Sequence, residues 1–171
     1  LLHETAMRKI IILALAAFMF TACANKNKGY VDRAVKNLEA SLDYPKQLKI
    51  IATSKADSAF GNNYFTRDEM RGMLKVTGKV TDILKAKTNN LSDESKIDAY
   101  TANLMQRQMN AISDIQAMVY RNTPKGQWSG WKVKIDYECV DKNSVKYRAE
   151  RWVFLDKKGE EVVKTFEIPL P

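Results

Sequence analysis

The sequence predicts an α+β domain in which helices pack on an antiparallel sheet, and three observations support this fold class. Apolar residues recur at helical spacing near the start of the chain and over two longer stretches in its middle. The last third instead alternates apolar and charged residues, which is typical of strands. Only short turn segments separate these regions, so we expect one domain with one core.

The first two predicted elements are a helix and a strand. Apolar residues at helical spacing predict an amphipathic helix from about Val31 to Leu42. Pro45 ends it, because proline lacks an amide donor and disfavours helical conformation in the residue before it. Residues 48–53 are rich in β-branched side chains, so we predict a strand that joins the sheet.

Two long helices follow and should form an antiparallel hairpin. Thr66 and Glu69 are spaced as a capping box, which predicts a helix from residue 67 to about residue 87. Ser92 is a suitable start for the second helix, which should reach about Tyr120. The connection between them is short, and a short connection makes two helices antiparallel neighbours.

The last third should form a three-stranded antiparallel meander. From Trp131 to Cys139 every odd position is apolar and every even position is charged. The second strand, Val145 to Leu155, has apolar residues of both parities, which indicates a bulge near Arg151 or two covered faces. The third strand runs from Val162 to Ile168 and ends at Pro169. With the early strand the sheet has four members, and we expect the helices to cover one face of it.

The beginning of the chain has the three-part layout of a secretory signal. Basic Met7-Arg8-Lys9 precedes an apolar run from Ile10 to Phe20, and Thr21-Ala22-Cys23 closes it. The apolar run is too short to cross a bilayer, which takes about 20 residues. Its end resembles the lipobox of bacterial lipoproteins. That resemblance implies that Cys23 is lipidated and becomes the first residue of the mature chain.

The predicted domain organisation follows from this leader. Residues 1–22 are upstream sequence and signal peptide, residues 23–29 are the lipidated cysteine and a tether, and residues 30–171 form one α+β domain.

The chain carries a formal net charge of +8. In an exported protein with interspersed charges, we expect a solvated surface or an anionic envelope surface as partner, and no nucleic acid. Lys26 and Lys28 lie in the tether, where each adds up to about 1 kcal/mol of attraction to an anionic leaflet.

The composition excludes several kinds of enzyme. His3 is the only histidine and precedes the leader, so a Ser-His-Asp triad, a Cys-His pair and an H-E-x-x-H zinc site cannot form in the mature chain. Three pairs of neighbouring carboxylates are predicted to be solvated, namely Asp68 with Glu69, Asp136 with Glu138, and Glu160 with Glu161. We therefore predict no catalytic residue, no metal and no cofactor.

Three further sets of residues have alternative interpretations. Cys139 is predicted to be a buried, inert thiol, with a redox role as the alternative. The hairpin methionines are predicted to fill its core, with Cu(I) or an apolar groove as alternatives: Met70, Met73, Met105, Met109 and Met118. The aromatic residues near the sheet should pack in the core, except Trp128, which polar and glycine neighbours make the best candidate for an exposed residue that contacts a partner.

The body of the chain also carries a resemblance. Its segments Asp43-Tyr44-Pro45, Gly130-Trp131-Lys132-Val133 and Trp152-Val153-Phe154-Leu155-Asp156 are similar to those of small uncharacterised lipoproteins of Bacteroides-type bacteria. The resemblance implies no activity. In that group, surface display usually accompanies acidic residues soon after the lipidated cysteine. Residues 24–28 contain none, which implies attachment to the outer membrane on its periplasmic side.

These observations together predict a lipid-anchored, non-enzymatic protein of the cell envelope that binds a protein partner or supports envelope structure. The alternative is a periplasmic carrier of small apolar ligands, with its groove between the helical hairpin and the sheet. An enzyme using two carboxylates is a third hypothesis, and it requires two acidic side chains that converge in one cleft.

Overall fold

The computed structural model describes residues 27–120 and 124–171, and within them the chain has the predicted α+β fold. Helix α1 covers residues 27–40. The remaining helices and strands are β1 (Lys49–Thr53), β2 (Asp57–Ala59), α2 (Arg67–Lys87), α3 (Ala99–Tyr120), β3 (Gly130–Val140), β4 (Lys146–Leu155) and β5 (Val162–Leu170).

The described strands form one antiparallel sheet in the order β1-β3-β4-β5, with β2 as a fifth member. Both β1 and β2 pair with the same edge of β3, β1 opposite residues 135–138 and β2 opposite residues 130–132. The predicted early strand is thus confirmed as part of the sheet, whereas the predicted number of four strands is wrong. Strand β2 has only three residues, Asp-Ser-Ala, and none of them favours a strand.

Helices cover both faces of the sheet rather than the one face that we predicted. On one face, Val133, Ile135 and Tyr137 of β3 are fully buried in a core that includes Ala34 and Leu38 of α1. On the other face, side chains of β4 and β5 pack against α2 and α3 in a second core: Phe65, Met73, Ala111, Ile115, Met118, Trp152, Phe154, Phe166 and Ile168. The two covered faces explain the mixed parity of β4, whose pairing with β3 is continuous through Arg151.

The charged side of β3 is therefore covered in part. Lys132 is only 3% exposed, and its Nζ lies 2.6 Å from Oε1 of Glu69. Lys134 Nζ lies 3.2 Å from Oε2 of Glu150, which is also buried. Asp136 is half-buried as well. The prediction of solvated carboxylates is thus wrong for Glu69 and Asp136. For Glu69 the reason is its ion pair with Lys132, which the sequence pattern does not reveal.

Several element boundaries differ from the predicted ones for local reasons. The capping box of α2 is confirmed, with Glu69 N–H donating to Thr66 Oγ1 at 3.2 Å. Helix α3 begins later than predicted because Asp98 accepts from the N–H of Thr101 at 2.7 Å and caps it there. Strand β5 continues through Pro169, which an edge strand tolerates because its missing donor faces away from the ladder.

Candidate functional site

Asn27 holds the first described turn of α1 against the sheet. Its side-chain amide donates to the carbonyl oxygen of Ala56 at 3.4 Å, and its Oδ1 accepts from the N–H of Ala56 at 3.3 Å. Residues 27–29, which the sequence assigned to the tether, are therefore helical and contact the domain. Cys23, the predicted lipidation site, lies outside the described residues. It precedes Asn27 by four positions, which span at most about 14 Å.

Three aromatic rings and a lysine form a surface beside this start of α1. The ring of Tyr30 stacks on Trp131, with centroids 4.9 Å apart, and Trp128 meets Trp131 edge-on at 5.7 Å. The indole N–H of Trp131 donates to the carbonyl oxygen of Lys157 at 3.3 Å. The Nζ of Lys157 lies 5.8 Å from the centroid of the Trp128 ring. We call Tyr30, Trp128, Trp131 and Lys157 the Trp128 surface.

The Trp128 surface lies at one end of the sheet, where β3 begins and β4 ends. Trp128 is 39% exposed, as predicted, while Tyr30 and Trp131 are half-buried. Exposed lysines occur in all the segments that meet at this end: Lys28, Lys55, Lys125, Lys157 and Lys158. The acidic residues of the same segments are Asp57, Asp156, Glu160 and Glu161. Asp156 is engaged within its own turn, because it accepts from the N–H groups of the two glutamates.

Of the other aromatic residues that the sequence grouped near the sheet, Trp152 and Tyr137 are buried, as predicted, whereas Trp131 and Tyr147 are half-buried. Trp152 is 7% exposed and packs edge-on against Phe65 with ring centroids 5.2 Å apart. Its indole N–H donates to Glu150 Oε1 at 2.7 Å. Tyr137 is fully buried on the opposite face of the sheet. Of the aromatic residues with which the sequence grouped Trp128, Trp131 therefore contacts it, whereas Trp152 and Tyr137 lie in the two cores.

A second polar region lies where α3 meets β4 and β5, and Glu167 is its centre. Oε2 of Glu167 accepts from the Tyr137 hydroxyl at 2.5 Å and from Nη2 of Arg151 at 2.5 Å. Oε1 accepts from Nη1 of Arg107 at 2.5 Å. The Arg107 guanidinium lies 3.5 Å from the centroid of the Tyr147 ring, a cation–π contact. We call these five residues the Glu167 network, and a groove of about 760 Å³ adjoins it.

Their surroundings raise the pKa values of two groups that meet in the Glu167 network, the Tyr137 hydroxyl and the Arg151 guanidinium. Burial raises the pKa of the Tyr137 hydroxyl far above its ordinary value, and the negative charge of Glu167 raises it further. The phenol therefore stays protonated and acts as a donor. Burial of Arg151 lowers the pKa of its guanidinium, but the charges of and hydrogen bonds with Glu167 and Tyr137 together raise it above its ordinary value.

Asp141 lies at the rim of the same groove and is engaged in the turn between β3 and β4. Its Oδ1 accepts from the N–H groups of Asn143 and Val145, both at 2.9 Å, and its Oδ2 accepts from the side-chain amide of Asn103 at 2.6 Å. Burial raises the pKa of the Asp141 carboxyl, but these hydrogen bonds and the charge of Arg107 together lower it.

Acidic residues line the groove, as a two-carboxylate enzyme requires, but buried Asp141 and half-buried Glu167 are not free for proton transfer. Both oxygens of Glu167 and both oxygens of Asp141 already accept from fixed donors. A general acid or base must be able to exchange its proton with a substrate. The arrangement is typical of a structural network of ion pairs and hydrogen bonds.

The hairpin methionines do not gather at one site. Met73 and Met118 are buried in the core under α2 and α3, which confirms the packing interpretation for these two, whereas Met109 is 64% exposed. Met70 is partly buried against the same core, and Met105 packs beside the separate cluster of Val80, Leu84 and Leu104. The space between hairpin and sheet, where a carrier groove was expected, is filled by core side chains in the described part of the chain. An open groove of about 430 Å³ instead lies on the outside, between α2 and α3.

Cys139 is 3% exposed, and its Sγ lies 3.5 Å from the carbonyl oxygen of Tyr44. The predicted burial of this thiol is thus confirmed. A thiol covered in this way is a poor candidate for redox chemistry, because reactive cysteines are partially exposed.

Sequence reasoning missed Tyr30 in the Trp128 surface and missed the Glu167 network. Tyr30 contacts residues that follow it by about a hundred positions, so no local pattern points to its role. Glu167 stands between the core residues Phe166 and Ile168 in a strand, and this alternation predicts only that its side chain lies on the other face of the sheet.

Comparison of the chain with protein-family models, with curated proteins and with solved structures gives no match. No helix among the described residues is long and apolar enough to cross a membrane.

Proposed function

We propose that this protein is a lipid-anchored, non-enzymatic module of the cell envelope, attached through Cys23 to the outer membrane and facing the periplasm. One observation carries the proposal most directly. The folded domain begins no later than Asn27, which is bonded to Ala56, so only a few residues separate the domain from the lipobox cysteine. A domain placed so close to an acylated cysteine would lie at the membrane surface.

The physical basis of the attachment is the acyl chains. Each buried CH₂ group contributes about 0.8 kcal/mol to membrane binding, and two or more chains make release slow compared with diffusion of the protein along the membrane. The apolar run of residues 10–20 supports export, and Cys23 directly after Thr21-Ala22 supports modification at that position.

A binding or structural role is favoured over an enzymatic one by the state of the polar groups. In the groove, the carboxylates of half-buried Glu167 and buried Asp141 are saturated with donors. The Trp128 surface, by contrast, presents a large ring that is 39% exposed and a lysine that is exposed to solvent. Partly exposed tryptophan is common at interfaces, where one end of the ring is covered and the other stays accessible.

The experiment that tests the anchor is metabolic labelling of the full-length chain in its native host with an alkyne analogue of palmitate. We expect label on the wild-type chain and its partition into the detergent phase of a cloud-point extraction. Cys23→Ser should abolish both. Cys139→Ser is the matched control, since it removes the other cysteine of the chain, which is buried, and should keep the label. Label that persists in Cys23→Ser, or that is missing from the wild type, would show that the proposal is wrong.

A further inference from the structure

We propose that the Trp128 surface itself docks on the lipid headgroups of the membrane, so that the domain is held in a fixed orientation as well as at a fixed distance. The inference rests on the proposed anchor at Cys23 in one respect, because the anchor is what brings this end of the domain to the membrane. Binding of the surface to lipid is a separate property, and it can be measured in a chain that carries no acyl group.

The position of the first described residues argues for lipid as the occupant. The side chain of Asn27 is tied to Ala56 at this end of the sheet. Tyr30 follows after three residues, a rise of about 4.5 Å along the helix, and its ring is stacked on Trp131. Because four residues reach at most about 14 Å, an acyl group on Cys23 would enter the bilayer next to Trp128 and Lys157 and not at the opposite end, where α2 and α3 are connected.

The chemistry of the surface matches the membrane interface. Tryptophan and tyrosine rings are enriched at the level of the headgroups, because they have an apolar body and a polar tip. Trp128 is the exposed ring here, and Trp131 and Tyr30 support it from below through the edge-on and stacked contacts. A supported ring loses little conformational entropy when it inserts, which favours binding.

Each lysine contributes less to binding than the Trp128 ring. A lysine near an anionic leaflet strengthens binding by about fivefold. Five exposed lysines lie in the segments of this end, but Asp57, Glu160 and Glu161 offset part of their charge. We therefore expect a preference for anionic over zwitterionic vesicles and a moderate decrease of binding with added salt, as for any screened interaction.

The test uses the mature chain from residue 23 with Cys23→Ser, so that neither an acyl group nor the leader contributes, and its folding is checked by circular dichroism. Binding is measured by sedimentation with vesicles of phosphatidylglycerol and phosphatidylethanolamine in equal parts, and with vesicles of phosphatidylcholine. We expect binding to the first. Trp128→Ala should lower the partition coefficient by about tenfold, and Lys157→Gln with Lys158→Gln should lower it by about fivefold per lysine.

Matched controls on the opposite side of the sheet make the result specific. Leu74→Ala removes an apolar side chain on α2 that is 50% exposed, and Lys75→Gln with Lys79→Gln removes two exposed lysines of the same helix. These variants should change the partition coefficient by less than about twofold, since only a long-range charge effect remains. Equal losses in both sets, or no binding of the parent chain to the anionic vesicles, would overturn the proposal.

A second measurement uses the lipidated protein in vesicles that contain a phospholipid with brominated chains. Bromine quenches tryptophan near the acyl region, and Trp128→Phe should remove part of that quenching, since half-buried Trp131 remains at the same surface and Trp152 is buried in the core. Quenching that is the same with and without Trp128 would contradict the docking. A chain that lacks label at Cys23 but still binds the anionic vesicles would contradict the anchor alone, so the two proposals fail separately.

Discussion

The Glu167 network and the Trp128 surface both combine aromatic rings with basic side chains, yet they use these groups in opposite ways. In the Glu167 network, the arginines are directed at one carboxylate, with Arg107 and Arg151 both within 2.5 Å of its oxygens. At the Trp128 surface, the Nζ of Lys157 meets the face of the Trp128 ring and no carboxylate in the contacts that the described residues make. The charged groups of the Glu167 network are paired with one another, whereas Lys157 of the Trp128 surface stays exposed to solvent.

This difference separates a stabilising role from a binding role within one small domain. A buried charge that loses its partner is costly, so the Glu167 network should appear in measurements of stability. A half-exposed ring costs less to remove, so the Trp128 surface should appear mainly in measurements of binding. Variants of the two regions should therefore affect different observables, and the size of each effect on stability follows from burial and from the number of donors left unpaired.

The largest effect on stability is expected for Glu167→Gln. The substitution preserves the shape of the side chain but leaves Arg107, Arg151 and the Tyr137 hydroxyl without the carboxylate that they share. Because the side chain of Glu167 is only 19% exposed, we expect a loss of about 3 kcal/mol in the free energy of unfolding, as for other broken buried ion pairs. Urea unfolding at pH 7 measures it.

Glu39→Gln is a suitable control for this measurement, since Glu39 is an exposed carboxylate on α1. It should change the free energy of unfolding by less than about 0.5 kcal/mol. A loss of that small size for Glu167→Gln would mean that the Glu167 network contributes no more than a surface ion pair. The contrast with the Trp128 surface would then disappear.

The same contrast separates the features that the sequence predicts from those that it does not. The fold class, the capping box of α2 and the exposure of Trp128 were all predictable, because each depends on spacing or on residues that are near in sequence. The Glu167 network joins α3 to β3, β4 and β5, with 60 positions between Arg107 and Glu167. No periodicity encodes such a contact. The second covered face of the sheet was not predicted for the same reason, since apolar residues of both parities in β4 fit either a bulge or two covered faces.

An intermediate effect is expected for Asp141→Ala, and it should depend on pH. The variant leaves the N–H groups of Asn143 and Val145 and the amide of Asn103 without their acceptor, for a loss of about 2 kcal/mol at pH 7. The folded protein lowers the pKa of Asp141 below 3.8, so its carboxylate stabilises the fold above that pH and ceases to do so as the pH falls through the lowered value.

The checking measurement is the difference in free energy of unfolding between wild type and Asp141→Ala, followed from pH 7 downward. We expect a constant difference down to about pH 5 and a smaller one below 3.8. A difference that grows on acidification would mean that the protonated form of Asp141 is the stabilising one. The pKa of Asp141 would then be raised in the folded protein, contrary to the lowered pKa that its hydrogen bonds predict.

The smallest effect on stability is expected for Trp128→Ala, and it completes the comparison of the two regions. The ring is 39% exposed, and its main described contact is the edge-on packing with Trp131. Such a pair contributes about 0.5–1.5 kcal/mol beyond the area that it buries, so we expect a loss of about 1–2 kcal/mol, below that of Glu167→Gln. Urea unfolding of both variants in one buffer gives the ranking.

If Trp128→Ala proves as destabilising as Glu167→Gln, the ring belongs to the core of the domain, and any loss of vesicle binding would have to be attributed to altered structure. A small loss of stability together with a tenfold loss of vesicle binding would instead assign the ring to the membrane interface. The side chain would then contribute to binding and little to the free energy of unfolding.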